Sequence, residues 1–113
     1  MVYESPVEAP LAIIDVWTVE PDQREELIRV ISENLEQHVL PLPGFVSAQI
    51  YESVNGQMLV LSLRVRSEAD LREVSDSAEL QRDFREARRI GRAHSHFYRL
   101  VANFGDQPEP PES

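Results

Sequence analysis

The chain has no cysteine. Disulfides, thiol nucleophiles and thiolate metal sites are therefore excluded. Lysine is missing too, since all 11 basic residues are arginine, which rules out catalysis through a lysine Schiff base. Basic charge is scarce overall. The net charge is −9, and a phosphate backbone or an anionic membrane would need a basic face, so neither nucleic acid nor membrane is an expected partner. No apolar run approaches the ~18 residues of a membrane span. The opening "MVYESPVEAP" has neither a basic n-region nor an apolar h-region, so no secretory signal is expected and the expected compartment is the cytoplasm. No P-loop, no G-x-G-x-x-G and no nucleophile motif occurs, and no nucleotide cofactor is expected.

What remains is the material of one small domain: 113 residues, 42% hydrophobic and 27% charged. Residues 1–10 read as an N-terminal arm, and 105–113, "GDQPEPPES", as a disordered Pro/Glu-rich tail. Between them, 11–104 read as one compact unit. "LAIIDVWTV" (11–19) is a strand, apolar enough to be buried on both faces. "DQREELIRVISENLEQHVL" (22–40) spaces Leu27, Ile28, Ile31, Leu35 and Val39 as a helix does, and "PLPG" stops it. "FVSAQIYESV" (45–54) alternates. Asn55-Gly56 predicts a type I′ hairpin turn, and "QMLVLSLRVR" (57–66) is the returning strand. Ser67 caps a second helix that breaks near 75–77, resumes through Leu80, Phe84 and Ala87, and stops near Gly91. "HSHFYRLVANF" (94–104) is the last strand.

The order β-α-β-β-α-β is the ferredoxin-like α+β arrangement: four antiparallel strands with helices on one face. Simple alternation puts Val46, Ala48, Ile50, Met58 and Val60 on the other face. They are too apolar for water, and a second copy packed sheet to sheet would cover them. Arg64 and Arg66 would then lie near that seam and pair with a carboxylate such as Glu52.

Several residues are candidates for chemistry. Asp15 shares a strand face with Ile13 and Trp17, and a carboxylate among apolar neighbours is a candidate general acid or base. The alternative is a rim position, capping a backbone group or paired with an arginine. Trp17 could stack on an aromatic ligand or simply fill the core. His94, His96 and Tyr98 lie on one side of the last strand. His96 could transfer a proton and Tyr98 could hydrogen-bond a carbonyl. The His-x-His pair has no third ligand near it, so no metal site is expected. His38 lies near the apolar face of helix one. Arg85, Arg88, Arg89 and Arg92 form one helical stripe, suited to an acidic ligand or to the chain's own acids.

The element order, with "LPGFVSAQIYESVNG" leading into "VRSEADL", resembles the antibiotic biosynthesis monooxygenase family. The resemblance implies a dimeric α+β barrel and a small-molecule tailoring enzyme. Its substrate would be an aromatic or polyketide-type intermediate, oxidised without metal or flavin. On the same barrel the alternatives are a polyketide cyclase or another proton-transfer enzyme, or a non-catalytic accessory subunit. Aligned on the "NG" and "RS" anchors, the Asn, Trp and Tyr of the quinone-forming relatives fall at Leu61, Val65 and Leu71. The heme-degrading relatives' Trp and His fall at Val74 and Phe84, and their strand-one Asn falls at Asp15. The resemblance thus makes Leu61, Val65 and Leu71 apolar walls of a substrate pocket. Catalysis is left to Asp15 and His96, with Trp17, His38 and Tyr98 binding substrate.

Overall fold

A computed structural model of the chain describes residues 11–105. The proposed arm, and the tail beyond Gly105, lie outside them. β1 (Leu11–Thr18) leads through a 3₁₀ turn (Pro21–Gln23) into α1 (Arg24–Asn34), which ends in a π-helical turn (Leu35–Val39). β2 (Phe45–Glu52) and β3 (Met58–Val65) form a hairpin. α2 (Glu68–Asp76), α3 (Ala78–Ala87) and β4 (Arg92–Arg99) follow. The strands form one antiparallel sheet in the order β2-β3-β1-β4, the ferredoxin-like order expected.

The central strand β1 decides what each face carries. Leu11, Ile13, Asp15 and Trp17 are buried under the helices, while Ala12, Ile14 and Val16 are half-buried on the open face. Pairing carries this division across the sheet. Leu59, Leu61, Leu63 and Val65 of β3 join the helix side, and Met58, Val60, Ser62 and Arg64 the open side. Trp17, Leu27, Leu59 and Val65 are the largest fully buried side chains. Burying each such chain contributes about 1.5–3 kcal/mol.

The helices begin and end for local reasons. Ser67 Oγ accepts from Asp70 N–H and caps α2. Ser77, in extended backbone, ends α2 with its N–H on the Val74 carbonyl and caps α3 with its Oγ on Leu80 N–H. The break expected near 75–77 is therefore a serine serving two helices. At Gly91 a Cβ would meet the Thr18 carbonyl at 2.9 Å. That contact, with no positive φ, is why a glycine follows the helix there.

Three expectations are corrected. Gly56 has φ +77° but Asn55 does not have a positive φ, so the hairpin turn is not type I′. Gly56 N–H instead closes a turn on the Ser53 carbonyl, and Ser53 Oγ accepts from the N–H groups of Gln57 and Met58. Secondly, β2 carries a bulge: Phe45 faces Val65, but Ser47 already faces Arg64. The extra residue inverts the alternation downstream. Ala48 and Ile50 pair with Leu63 and Leu61 and so lie on the helix side, not the open side. Thirdly, the same inversion turns Glu52 toward the helices. It pairs with Arg24 at 3.1 Å rather than with Arg64 or Arg66, and Arg24 also donates to the Gly56 carbonyl.

Candidate functional site

Between the helix-side face of the sheet and the helices lies a cavity of about 380 Å³, within the range of small-molecule sites. Ile13, Leu61, Leu63, Val39, Leu80 and Phe84 give it apolar walls. Phe97 lines it while 54% exposed, and Arg85 lines it from an exposed position on α3. These two stand at its mouth, between β4 and α3.

Asp15 lies on the cavity wall at the centre of the sheet, only 7% exposed. The ladder sets Ser95 of β4 directly opposite, and Ser95 Oγ–H donates to Asp15 Oδ1 at 2.5 Å. Burial pushes the Asp15 carboxyl above its ordinary value, and the Ser95 hydrogen bond pulls it partly back. The rim alternative is set aside by this burial, since the carboxylate's partner among the described residues is Ser95 and not an arginine. Trp17 lies two residues along the same face, 1% exposed, with its ring 5.5 Å from that of Phe84. Its buried indole N–H has no hydrogen-bond partner among the described residues. A buried donor without a partner is costly.

A second buried carboxylate lines the same cavity. Asp83 of α3 is 6% exposed, and its Oδ2 lies 2.6 Å from His38 Nδ1. His38 is held out from the π-helical turn, which is closed by Leu40 N–H on the Leu35 carbonyl. The sequence reading selected His38 but passed over Asp83. The signal was there: Asp83 sits on the apolar stripe of Leu80, Phe84 and Ala87. Ser95 could be found only from the strand register.

The expected residues separate. Asp15, Trp17 and Leu61 line the cavity together. His38 stands behind the wall, reaching it through Asp83. Leu71 packs outside it with the cluster of Ile13, Val39 and Leu63. Val65 is buried beside Phe45 and Asp70, at a separate small crevice. His96 and Tyr98 are corrections to the expected grouping. His96 pairs with Ile14 and Tyr98 with Ala12, so both project from the open face with His94, across the sheet from Asp15. Strand four does supply the cavity, but through the intervening Ser95 and Phe97. Among the described residues, no three His, Cys, Asp or Glu side chains gather as a metal site. None of the described helices is long and apolar enough to cross a membrane.

No protein-family model matches the chain. The tetracenomycin-F1 monooxygenase of Streptomyces glaucescens is 31% identical over 101 residues, covering 89% of this chain and 90% of that one. The chain belongs to the antibiotic biosynthesis monooxygenase family. Solved structures bear out the family fold. The ActVA-Orf6 monooxygenase of Streptomyces coelicolor, in complex with nanaomycin D, superposes with a TM-score of 0.75 at 17% identity, covering 88% of this chain and 95% of that one. SnoaB, a cofactor-independent oxygenase from Streptomyces nogalater, superposes with a TM-score of 0.61 at 15% identity, covering 89% and 99%. In this member of the family, the helix-side cavity is walled by Leu61, and its polar groups come from β1, β4 and the helices.

Proposed function

We propose that this chain is a polyketide-tailoring monooxygenase that oxidises a flat, phenolic, fused-ring intermediate in the cavity, using dioxygen without a metal or flavin. The observation that carries this reading is Asp15: a buried carboxylate, on a sheet centre, at the wall of a mostly apolar cavity beside Trp17. The 31% identical relative, itself a monooxygenase, supports the reaction class.

Each group has a chemical part. Asp15 takes the phenol proton, and its raised affinity for protons suits it to that exchange. The resulting electron-rich anion passes an electron to dioxygen, and the two radicals combine at the ring carbon para to the oxygen. Loss of water from the peroxide leaves a quinone. Phenol plus dioxygen gives quinone plus water, so the substrate supplies all the electrons. The Trp17 ring and the other apolar walls hold the substrate's rings and exclude water.

The open face supports a homodimer packed sheet to sheet. It presents Ile14, Val16 and Val60 beside exposed Met58, Tyr51 and Tyr98. Val101 and Phe104, just after β4, are exposed as well. Such a surface is more apolar than a monomer normally leaves in water.

Oxygen uptake with a dihydroxynaphthalene tests the reading. The wild-type protein should consume oxygen and release the hydroxynaphthoquinone, and Asp15→Asn should lower kcat by about 100-fold or more. Leu61 brings no donor to the cavity, which keeps a proton-transfer enzyme such as a cyclase as a second reading. Turnover of substrate under strict anaerobiosis would establish that second reading in place of the first.

A further inference from the structure

The proposed reaction moves two protons, and they leave from opposite ends of one ring. One comes from the phenol oxygen. The other comes from the ring carbon para to it, after dioxygen has added there. A single carboxylate fixed on β1 cannot reach both. The cavity has a second one, Asp83, on the helical wall facing the sheet.

Asp83 is otherwise hard to explain. A carboxylate buried to 6% exposure at an apolar helix stripe costs stability unless it is partnered. Its partner is His38, whose Nδ1 lies 2.6 Å from Oδ2. The His38 side chain keeps 25% of its surface exposed. The pair therefore spans from the cavity wall to solvent, with the carboxylate on the inside and the imidazole behind it. Imidazole exchanges protons readily at neutral pH.

Resting on the oxygenase reading above, we infer that Asp83 is the second acid–base group of the site, acting where dioxygen adds, with His38 as its positioning residue. Asp15 holds the phenol proton until product leaves, and Asp83 passes a proton from solvent to the outer peroxide oxygen, giving a hydroperoxide. Asp83 then takes the proton from the ring carbon. The C–H electron pair becomes the π bond of the new carbonyl, the O–O bond breaks, and its electron pair leaves with hydroxide. That hydroxide receives the proton held by Asp83 and departs as water. Both carboxylates return to their starting state. His38 fixes the orientation of Asp83 through their hydrogen bond.

The test uses a dihydroxynaphthalene with a hydrogen para to each hydroxyl, and the same compound deuterated at those positions. Phenol ionisation breaks no C–D bond, so an isotope effect reports the Asp83 step alone. Asp83→Asn should lower kcat by about 100-fold, leave KM within about threefold, and raise the isotope effect on quinone release above that of wild type. Asp83→Glu should restore part of kcat. His38→Gln should lower kcat on the order of 10-fold with KM unchanged, and it decides the matter should Asp83→Asn not fold. Wild-type kcat and isotope effect in folded Asp83→Asn, or in His38→Gln where that variant decides, overturn the assignment while the oxygenase reading stands. Failure of the wild-type protein to take up oxygen overturns the oxygenase reading and this one with it.

Discussion

The two faces of β1 differ in kind, although they belong to the same eight residues. The helix-side face alternates bulk with one charge: Ile13, Asp15, Trp17. The open face carries Ala12, Ile14 and Val16, small or branched and apolar, and ends on the exposed Thr18, its one polar side chain. The first face is closed by the protein's own helices and leaves a cavity, so a carboxylate there can meet a ligand. The second has no described helix above it, and so suits another copy. On the proposed reading one strand divides chemistry from assembly, and a side chain's face follows from whether its position is odd or even.

The division can be probed from both sides. Truncating Trp17 on the closed face should have the largest effect on stability. Trp17→Ala is expected to cost about 3–5 kcal/mol, read by urea denaturation followed by circular dichroism. On the open face, Val60→Asp places a charge where the partner sheet would pack. Sedimentation should show the dimer replaced by monomer, with the fold kept; a Val60→Asp dimer of unchanged affinity would refute the sheet-to-sheet arrangement.

A subtler difference concerns pH. In the unfolded chain Asp15 ionises near 3.8, whereas in the fold burial makes it hold its proton to higher pH. Between those two values the native state binds more protons than the unfolded one. Wild-type stability from this group therefore falls as pH rises through that window. Asp15→Asn cannot ionise and escapes the loss. The variant should be more stable than wild type above the window. The advantage should vanish below it, as thermal melts across pH will show. The smallest effect is expected at His96, across the sheet from the cavity. His96→Ala should leave kcat within about twofold, and a loss as large as that of Asp15→Asn would mean the two faces are not functionally separate.

Much of the fold could be read from pattern alone. Period-two and helical spacing located the strands and helices, and the serines that cap α2 and α3 marked the break between them. Asp15 and Trp17 were legible because they share a strand face, and that reading needs only local geometry. His96 misled because choosing which side of β4 faces the helices requires its register against β1, and the alternation in "HSHFYR" is equally good either way. Ser95 stayed hidden for the same reason. Asp83 was missed differently: an acid on a charged helix reads as solvated until its neighbours at Leu80 and Ala87 are weighed. Ala48, Ile50 and Glu52 were misplaced because a bulge leaves no mark that counting by twos can detect.

That bulge behaves like a shift of reading frame. Upstream and downstream of Val46–Ser47, β2 is written in opposite phase, and only the downstream phase sets Ile50 opposite Leu61 and turns Glu52 toward Arg24. Deleting one residue there would change no element of the fold's outline. It would nonetheless export Ala48 and Ile50 to the outer surface, bring Gln49 and Tyr51 beneath the helices, and detach the hairpin from the start of α1. One unpaired residue thus sets the phase of every side chain that follows it in the strand.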